Sequence, residues 1–246
     1  MTLPEPRGGR SGTSQDYAYR RLRHALMVGA IAPGRAVTIR GLAEALHVSP
    51  TPIREALRRL SAEHALLVLD NRRIIVSKME APRFLALIDL RCAIERHAAR
   101  QALPYVSDVL IENLTRIDAS VNHAIAERNH ENHVLLNQDF HLTLHSANPD
   151  QVATPMIESL WLQIGPFLRI AAAYVEEYYS VDRHIEILDA LRDRDAIALE
   201  AAIEADIRDG VGGLDRAALE RILGGQAIPP HHPRGSRPDH ASLLRI

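Results

Sequence analysis

The chain has 246 residues, 46% hydrophobic and 24% charged, with one cysteine and a net charge of −2, enough for one large or two small domains with a real core. No apolar run reaches the roughly 18 residues of a membrane span, the N-terminus has no apolar leader, and Cys92 alone excludes a disulfide framework or a cysteine-rich zinc site, so a cytoplasmic protein with no membrane partner is expected. The net charge hides an asymmetry: residues 17–78 carry eleven Arg or Lys against four Asp or Glu, residues 79–246 sixteen against twenty-five, which suggests a polyanion-binding module joined to something else.

Aromatic residues are scarce, and Ala, Leu, Ile, Arg and Glu dominate, which favours helices. Residues 1–15, rich in Gly, Pro, Ser and Arg, are expected to be disordered. Residues 16–28 place Tyr19, Leu22, Ala25 and Leu26 at helical spacing; Gly29 ends that helix and Ala32-Pro33-Gly34 makes a turn. Thr38 can cap a short helix through Leu46, with Leu42, Ala45 and Leu46 inside. After His47-Val48, Ser49 is a good N-cap for a third helix, with Pro50 in the first position and Ile53, Ala56, Leu57 and Leu60 on its inner face. Two short apolar runs, 66–69 and 74–76, flank Asp70-Asn71-Arg72, which reads as a hairpin turn. Helix, short helix, tight turn, helix and hairpin make a winged helix-turn-helix over residues 16–78.

From residue 79 to 223 the pattern is helical, with helices near 81–102, 107–128, 131–147, 151–178, 181–194 and 196–222. Ser107 and Ser180 stand where N-caps belong, and Gly165-Pro166 should kink the fourth helix. Amphipathic helices with short connections make an antiparallel bundle. Residues 224–246 return to low order and are expected to form a disordered tail that includes His231-His232. The fold class is therefore mainly α: a winged helix-turn-helix domain followed by an all-α antiparallel bundle.

A recognition helix presents polar side chains near its start while its other face packs on the domain. Thr51, Arg54 and Arg58 share the side opposite Ile53, Leu57 and Leu60. Arginine in a major groove can pair bidentately with guanine. Ser49 precedes these residues, Arg40 begins the preceding helix, and Arg72 and Arg73 sit at the hairpin tip, where a wing would touch the minor groove or backbone. Pairing within the helix, such as Glu55 with Arg59, is the competing use of these charges.

Residues 22–67, and above all Val48-Ser49-Pro50-Thr51-Pro52-Ile53-Arg54-Glu55-Ala56-Leu57, resemble the DNA-binding domain of the GntR superfamily of bacterial transcription regulators. The helical remainder is similar to the FadR-type (FCD) ligand-binding domain, through Asn137 with Phe140-His141, Asn148-Pro149, and His184 followed by Ile187-Leu188-Asp189-Ala190. The chain departs from the pattern at Pro50, where many relatives carry a DNA-contacting arginine, and at His47, His64-Ala65 and Arg73, where glycine or Gly-Leu is usual. Histidine tolerates a left-handed helix end better than most residues.

The resemblance implies that Asn137, His141, His184 and Asp206 come together in the bundle core as metal ligands, with Asn137 replacing a carboxylate and Asp206 a histidine. Two imidazoles, a carboxylate and an amide oxygen suit a divalent zinc, nickel, manganese or iron ion. A carboxylate effector calls for an arginine: Arg91 and Arg169 are the candidates, with His145 near the same cavity. An internal pair with Glu95, four residues on, competes for Arg91. His130 and His133 are read as surface residues, and Trp161 and Phe167 as core.

The expected function is a ligand-responsive DNA-binding regulator, usually a repressor. It would bind an inverted-repeat operator in double-stranded DNA as a homodimer and be released or retuned by a carboxylic or sugar acid bound beside the metal. Two other readings compete: a regulator for which the ion is the signal, and a metal-dependent enzyme fused to a DNA-binding domain. No H-E-x-x-H, Gly-rich phosphate loop or nucleophile motif is present, so no catalytic residues are expected.

Overall fold

The computed structural model describes residues 3–4, 12–69, 73–178, 182–210 and 216–223, with side chains outside 168–178, 216–218 and 222. Helix α1, Ser14–Met27, opens on Thr13, whose hydroxyl accepts from Asp16 N at 3.2 Å. Of the stretch 1–15 expected to be disordered, residues 3–4 and 12–15 are described, and Ser14 and Gln15 already belong to α1. Leu3 is 4% exposed, and its carbonyl accepts from Arg21 Nη2 at 2.7 Å. Strand β1, Ala36–Val37, was not legible in the sequence; it pairs antiparallel with β3, Ile74–Val76, which also takes β2, Leu66–Val68, to give the order β1-β3-β2. Leu69 N donates to Arg73 O at 2.8 Å. The expected turn at Asp70-Asn71-Arg72, and with it the Arg72 contact, lies outside the described residues.

Helix α2, Ile39–Leu46, is capped by Thr38, which accepts from Gly41 N at 3.1 Å. His47 takes the left-handed conformation its position demands, φ 52°. Helix α3, Pro50–Ala62, follows, and Ser49 has the backbone of an N-cap but caps nothing with its side chain. Of the two N–H groups a cap can accept from, the third residue's is missing because Pro52 has none, and Thr51's, the second, is not bonded by Ser49 Oγ. The expected capping bond is therefore corrected, and the exposed Ser49 hydroxyl is left facing outward. His64 also adopts a positive φ, 60°, and ends α3 in place of glycine.

The C-terminal helices are α4, Ala81–Ala102, α5, Asp108–Ala126, α6, His130–His145, α7, Thr154–Tyr178, α8, Arg183–Asp193, α9, Ala196–Asp209, and α10, Arg216–Leu223. α4 lies against α6, α7 and α9, α5 against α6 and α8, and α8 against α9. Ser107 caps α5 as expected, accepting from Leu110 N at 3.2 Å. The cap of α8 is Asp182, which accepts from His184 N; Ser180 lies outside the described residues. In place of one helix over 196–222 there are α9 and α10. Gly210 closes α9, glycine costing about 1 kcal/mol relative to alanine in a helix, and residues 211–215 lie outside the described residues.

Trp161, Phe84 and Phe140 are the largest fully buried side chains, and Phe84 packs edge-on to Phe167 at 6.5 Å, so the aromatics expected as core are core. Helix α7 is continuous through Pro166. What Gly165 supplies is proximity: a Cβ there would stand 2.5 Å from Met27 O and 2.8 Å from Leu26 O. The last turn of α1 thus rests on the backbone of α7. Arg23 Nη2 adds an ion pair to Glu158 at 3.1 Å across the same junction.

Candidate functional site

On the N-terminal elements, α3 packs Pro52, Ile53, Ala56, Leu57 and Leu60 inward and leaves Thr51, Arg54 and Arg58 exposed. Arg40 and Ser49 are exposed close by in sequence, and Arg73 is exposed beside the wing. Arg54 has no ion-pair partner among the described residues. Arg58 bonds to Glu55 Oε2 through Nε at 3.2 Å and Nη2 at 3.0 Å. The competing pair weighed above, Glu55 with Arg59, is not among the ion pairs of the described residues: Arg59 lies over the Tyr19 ring at 3.6 Å, on the α1 side of the domain. An exposed helix face carrying an uncommitted arginine one turn from a second one suits a groove lined with phosphates and base edges.

Within the bundle, α6 supplies Asn137 and His141, α8 supplies His184 and α9 supplies Asp206, and these four meet. His141 Nε2 is 2.9 Å from Asp206 Oδ2. His184 Nε2 is 3.1 Å from Asn137 Oδ1 and 3.7 Å from Asp206 Oδ1. Ligands bonded at 2.0–2.1 Å around a tetrahedral ion stand about 3.3 Å apart, so these donor atoms already have the spacing of a coordination shell.

The far nitrogens of both imidazoles face carboxylates. His184 Nδ1 is hydrogen-bonded to Asp118 Oδ1 at 2.8 Å. His141 Nδ1 stands 2.9 Å from Glu95 Oε2, as an ion pair rather than an in-line hydrogen bond. A carboxylate behind each imidazole fixes its orientation and directs Nε2 toward a metal, the usual support of a metal-binding histidine. Phe140 stacks on His184 at 3.9 Å and Trp161 meets His141 edge-on, so neither ring is free to turn. The donor set fits a divalent ion.

Glu95, fully buried, is the centre of the charge network. Its Oε1 accepts from Arg91 Nε at 2.5 Å and Trp161 Nε1 at 2.9 Å; its Oε2 faces His141 and, at 3.2 Å, His145 Nε2. Burial would raise its pKa, but Arg91 and His141 outweigh that and hold it well below the usual carboxylate range. Burial would likewise lower His141, but Glu95 and Asp206 raise it to about 9. Asp206 is depressed despite burial by His184 and His141.

A cavity of about 40 Å³, room for about three waters, opens beside the cluster, lined by Arg91, His133, Asn137, Gln138, Trp161 and Asp206 among others. Arg91 therefore does both things weighed for it: it pairs with Glu95 and borders the cavity. His145, expected at the effector, lies behind the cluster, bonded to Glu95 and fully buried. Burial depresses its pKa. The Arg169 side chain lies outside the described residues. His133, expected on the surface, lines the cavity, and burial lowers its pKa to about 4.

Sequence reasoning missed Asp118 and Gln138 altogether and saw Glu95 only as a partner for Arg91. The i,i+4 spacing of His141 and His145 on one face of α6, with Glu95 and Arg91 spaced alike on α4, was the available signal for the Glu95 centre.

Residues 14–76 match the family model described as bacterial regulatory proteins, gntR family, and residues 86–209 match the FCD domain. The HTH-type transcriptional regulator McbR of Escherichia coli (strain K12) is 27% identical over 179 residues, 71% of this chain and 80% of that protein. The Nta operon transcriptional regulator of Aminobacter aminovorans is 27% identical over 211 residues, 82% of this chain and 96% of its own length. The solved structure of E. coli McbR/YncC aligns with a TM-score of 0.75 at 23% identity, covering 82% of this chain and 96% of that one. A putative transcriptional regulator GntR from Rhodococcus sp. RHA1 aligns at 0.67 with 20% identity, covering 87% and 99%. At such identities the structural likeness speaks for the fold.

Proposed function

The chain belongs to the gntR family of bacterial regulatory proteins and carries that family's FCD domain, and from this premise we propose that it is a repressor whose hold on an operator is set by a small carboxylate bound beside a metal ion. As a transcriptional regulator it is not an enzyme. Residues 16–78 form the DNA-binding module and residues 79–223 the effector-binding and dimerisation module. A homodimer places two copies of α3 in successive major grooves of an inverted repeat. Arg54 reads a base edge with Thr51 beside it; Arg58 first has to leave Glu55. Arg40 and Ser49 take phosphates, and Arg72 and Arg73 reach the duplex from the wing.

Asn137, His141, His184 and Asp206 hold the ion, which when bound supplies Lewis-acid positions for an anion. Arg91, already oriented by Glu95, turns its outer guanidinium nitrogens to the carboxylate. The observation that carries this reading is the carboxylate behind each metal-facing imidazole, Asp118 for His184 and Glu95 for His141. Occupancy changes DNA affinity only if the ligand binds the two arrangements of the dimer unequally. The small volume of the cavity also favours a second reading, in which the ion alone is the signal.

The test is selection of genomic fragments by wild type and Arg54→Ala at two salt concentrations, with chelator-treated and metal-loaded protein in parallel, because non-specific binding falls steeply with salt. Enrichment of an inverted repeat by wild type alone, with a metal- or ligand-dependent yield, supports the reading. Weak, equal binding by both proteins, only at low salt, overturns it.

A further inference from the structure

Gln138 is 6% exposed and stands on α6 between two spaces. On one side it lines the cavity with its neighbour Asn137 and with Asp206 and Arg91. On the other it lines a cleft beneath α1, with His24, Met27 and Glu158. Its side-chain Nε2 donates to Met27 O at 3.4 Å.

Met27 is the last residue of α1, the helix on which α3 packs. Its backbone also lies against Gly165, which leaves no room even for a Cβ. The end of α1 is therefore seated in a slot made by α6 and α7, and among the described residues Gln138 lines both the cleft beside that slot and the cavity.

We propose, on the reading that this cavity is the ligand site, that Gln138 is the positioning residue that reports its occupancy to the DNA-binding module. The bond to Met27 O is neutral and long, at the weak end of hydrogen bonds. A bond from the same amide to an anion in the cavity is charge-assisted and roughly twice as strong. The amide nitrogen carries two N–H groups, and an anion that draws the amide into the cavity takes it from the long Met27 bond and loosens the end of α1. The link is reciprocal: seating α1 on Met27 O weakens binding in the cavity by the same factor.

The test follows amide hydrogen exchange over residues 22–30 in the full chain, metal-free, with zinc alone, and with zinc plus acetate as the smallest carboxylate probe. Gln138→Met keeps the bulk and removes the amide; Gln138→Glu is a second variant of nearly equal size that cannot donate from the same position. Zinc plus acetate is expected to speed exchange over residues 22–30 at least threefold in wild type. In either variant the change should stay under 1.5-fold, and in Gln138→Met, which adds no ligand or charge, zinc affinity should stay within twofold of wild type. A variant that responds as wild type does overturns the relay. So does a wild type that binds zinc and acetate with no change at residues 22–30, although the metal reading then stands. A wild type that takes up no zinc overturns both.

Discussion

The outer face of α3 and the interior of the bundle use charge in opposite ways. On α3, arginines stand exposed, and Arg54 has no ion-pair partner among the described residues. Water solvates such a charge at little cost to the fold, so it remains available to a polyanion. In the bundle, Arg91, Glu95, His141, His184, Asp118 and Asp206 are buried together, and each charge faces an opposite charge or a hydrogen-bond partner. The cost of removing these ions from water is recovered only while the network is complete. One surface is therefore free to change its sequence preference without changing stability. The other couples every change at the site to stability.

Glu95→Gln breaks that coupling at its centre and has the largest expected effect. It leaves the Arg91 and His141 cations buried without their common counter-ion, a loss of about 3–5 kcal/mol. Denaturant unfolding of the metal-free chain measures it. Gly165→Ala attacks the junction that joins the two regions; a Cβ placed 2.5 Å from Met27 O forces α1 from α7 and should cost about 1–3 kcal/mol as overpacking. Thermal unfolding reads that loss.

Arg54→Ala should leave stability unchanged and cost about 1–3 kcal/mol of discrimination at one base position of the operator. Arg58→Ala should cost less, because Glu55 already competes for that side chain; anisotropy titrations on matched and mismatched sites separate the two. The smallest pair sharpens the same contrast within one motif. Thr38→Ala removes a real cap and should cost about 1 kcal/mol of stability, whereas Ser49→Ala removes none and should cost under about 0.5 kcal/mol, any loss appearing in DNA affinity instead.

The N-terminal elements were legible because their determinants are local. Thr38 and the apolar spacings of α1 to α3 act within a turn or two of the chain, and the cap read at Ser49 met a second local rule, since Pro52 has no N–H to offer it. Strand β1 was invisible because two residues have no period; only pairing with Ile74 and Ile75, nearly forty residues on, makes them a strand.

The bundle was legible as helices for the same local reason, but its site was not. Asn137, His141, His184 and Asp206 were reached through a resemblance, and the structure brings them together. Asp118, 66 residues from the imidazole it supports, carries no sign of that role in its own neighbourhood. Glu95 shows only its i,i+4 arginine; its bonds to Trp161 and His145 come from chain-distant packing. Buried polar groups are specified by long-range satisfaction, which no short window of sequence displays.

The central claim is that a metal held on Asn137, His141, His184 and Asp206 governs operator binding. Elemental analysis of the purified chain beside operator titrations of the same sample, for wild type and His184→Ala, tests it most directly. The account predicts about one divalent ion per chain in wild type, its loss in the variant, and an operator affinity in wild type that shifts on chelation and returns when the ion is restored. A wild type without metal that cannot be loaded, or one whose operator affinity is the same with and without the ion and any carboxylate added to it, contradicts the account.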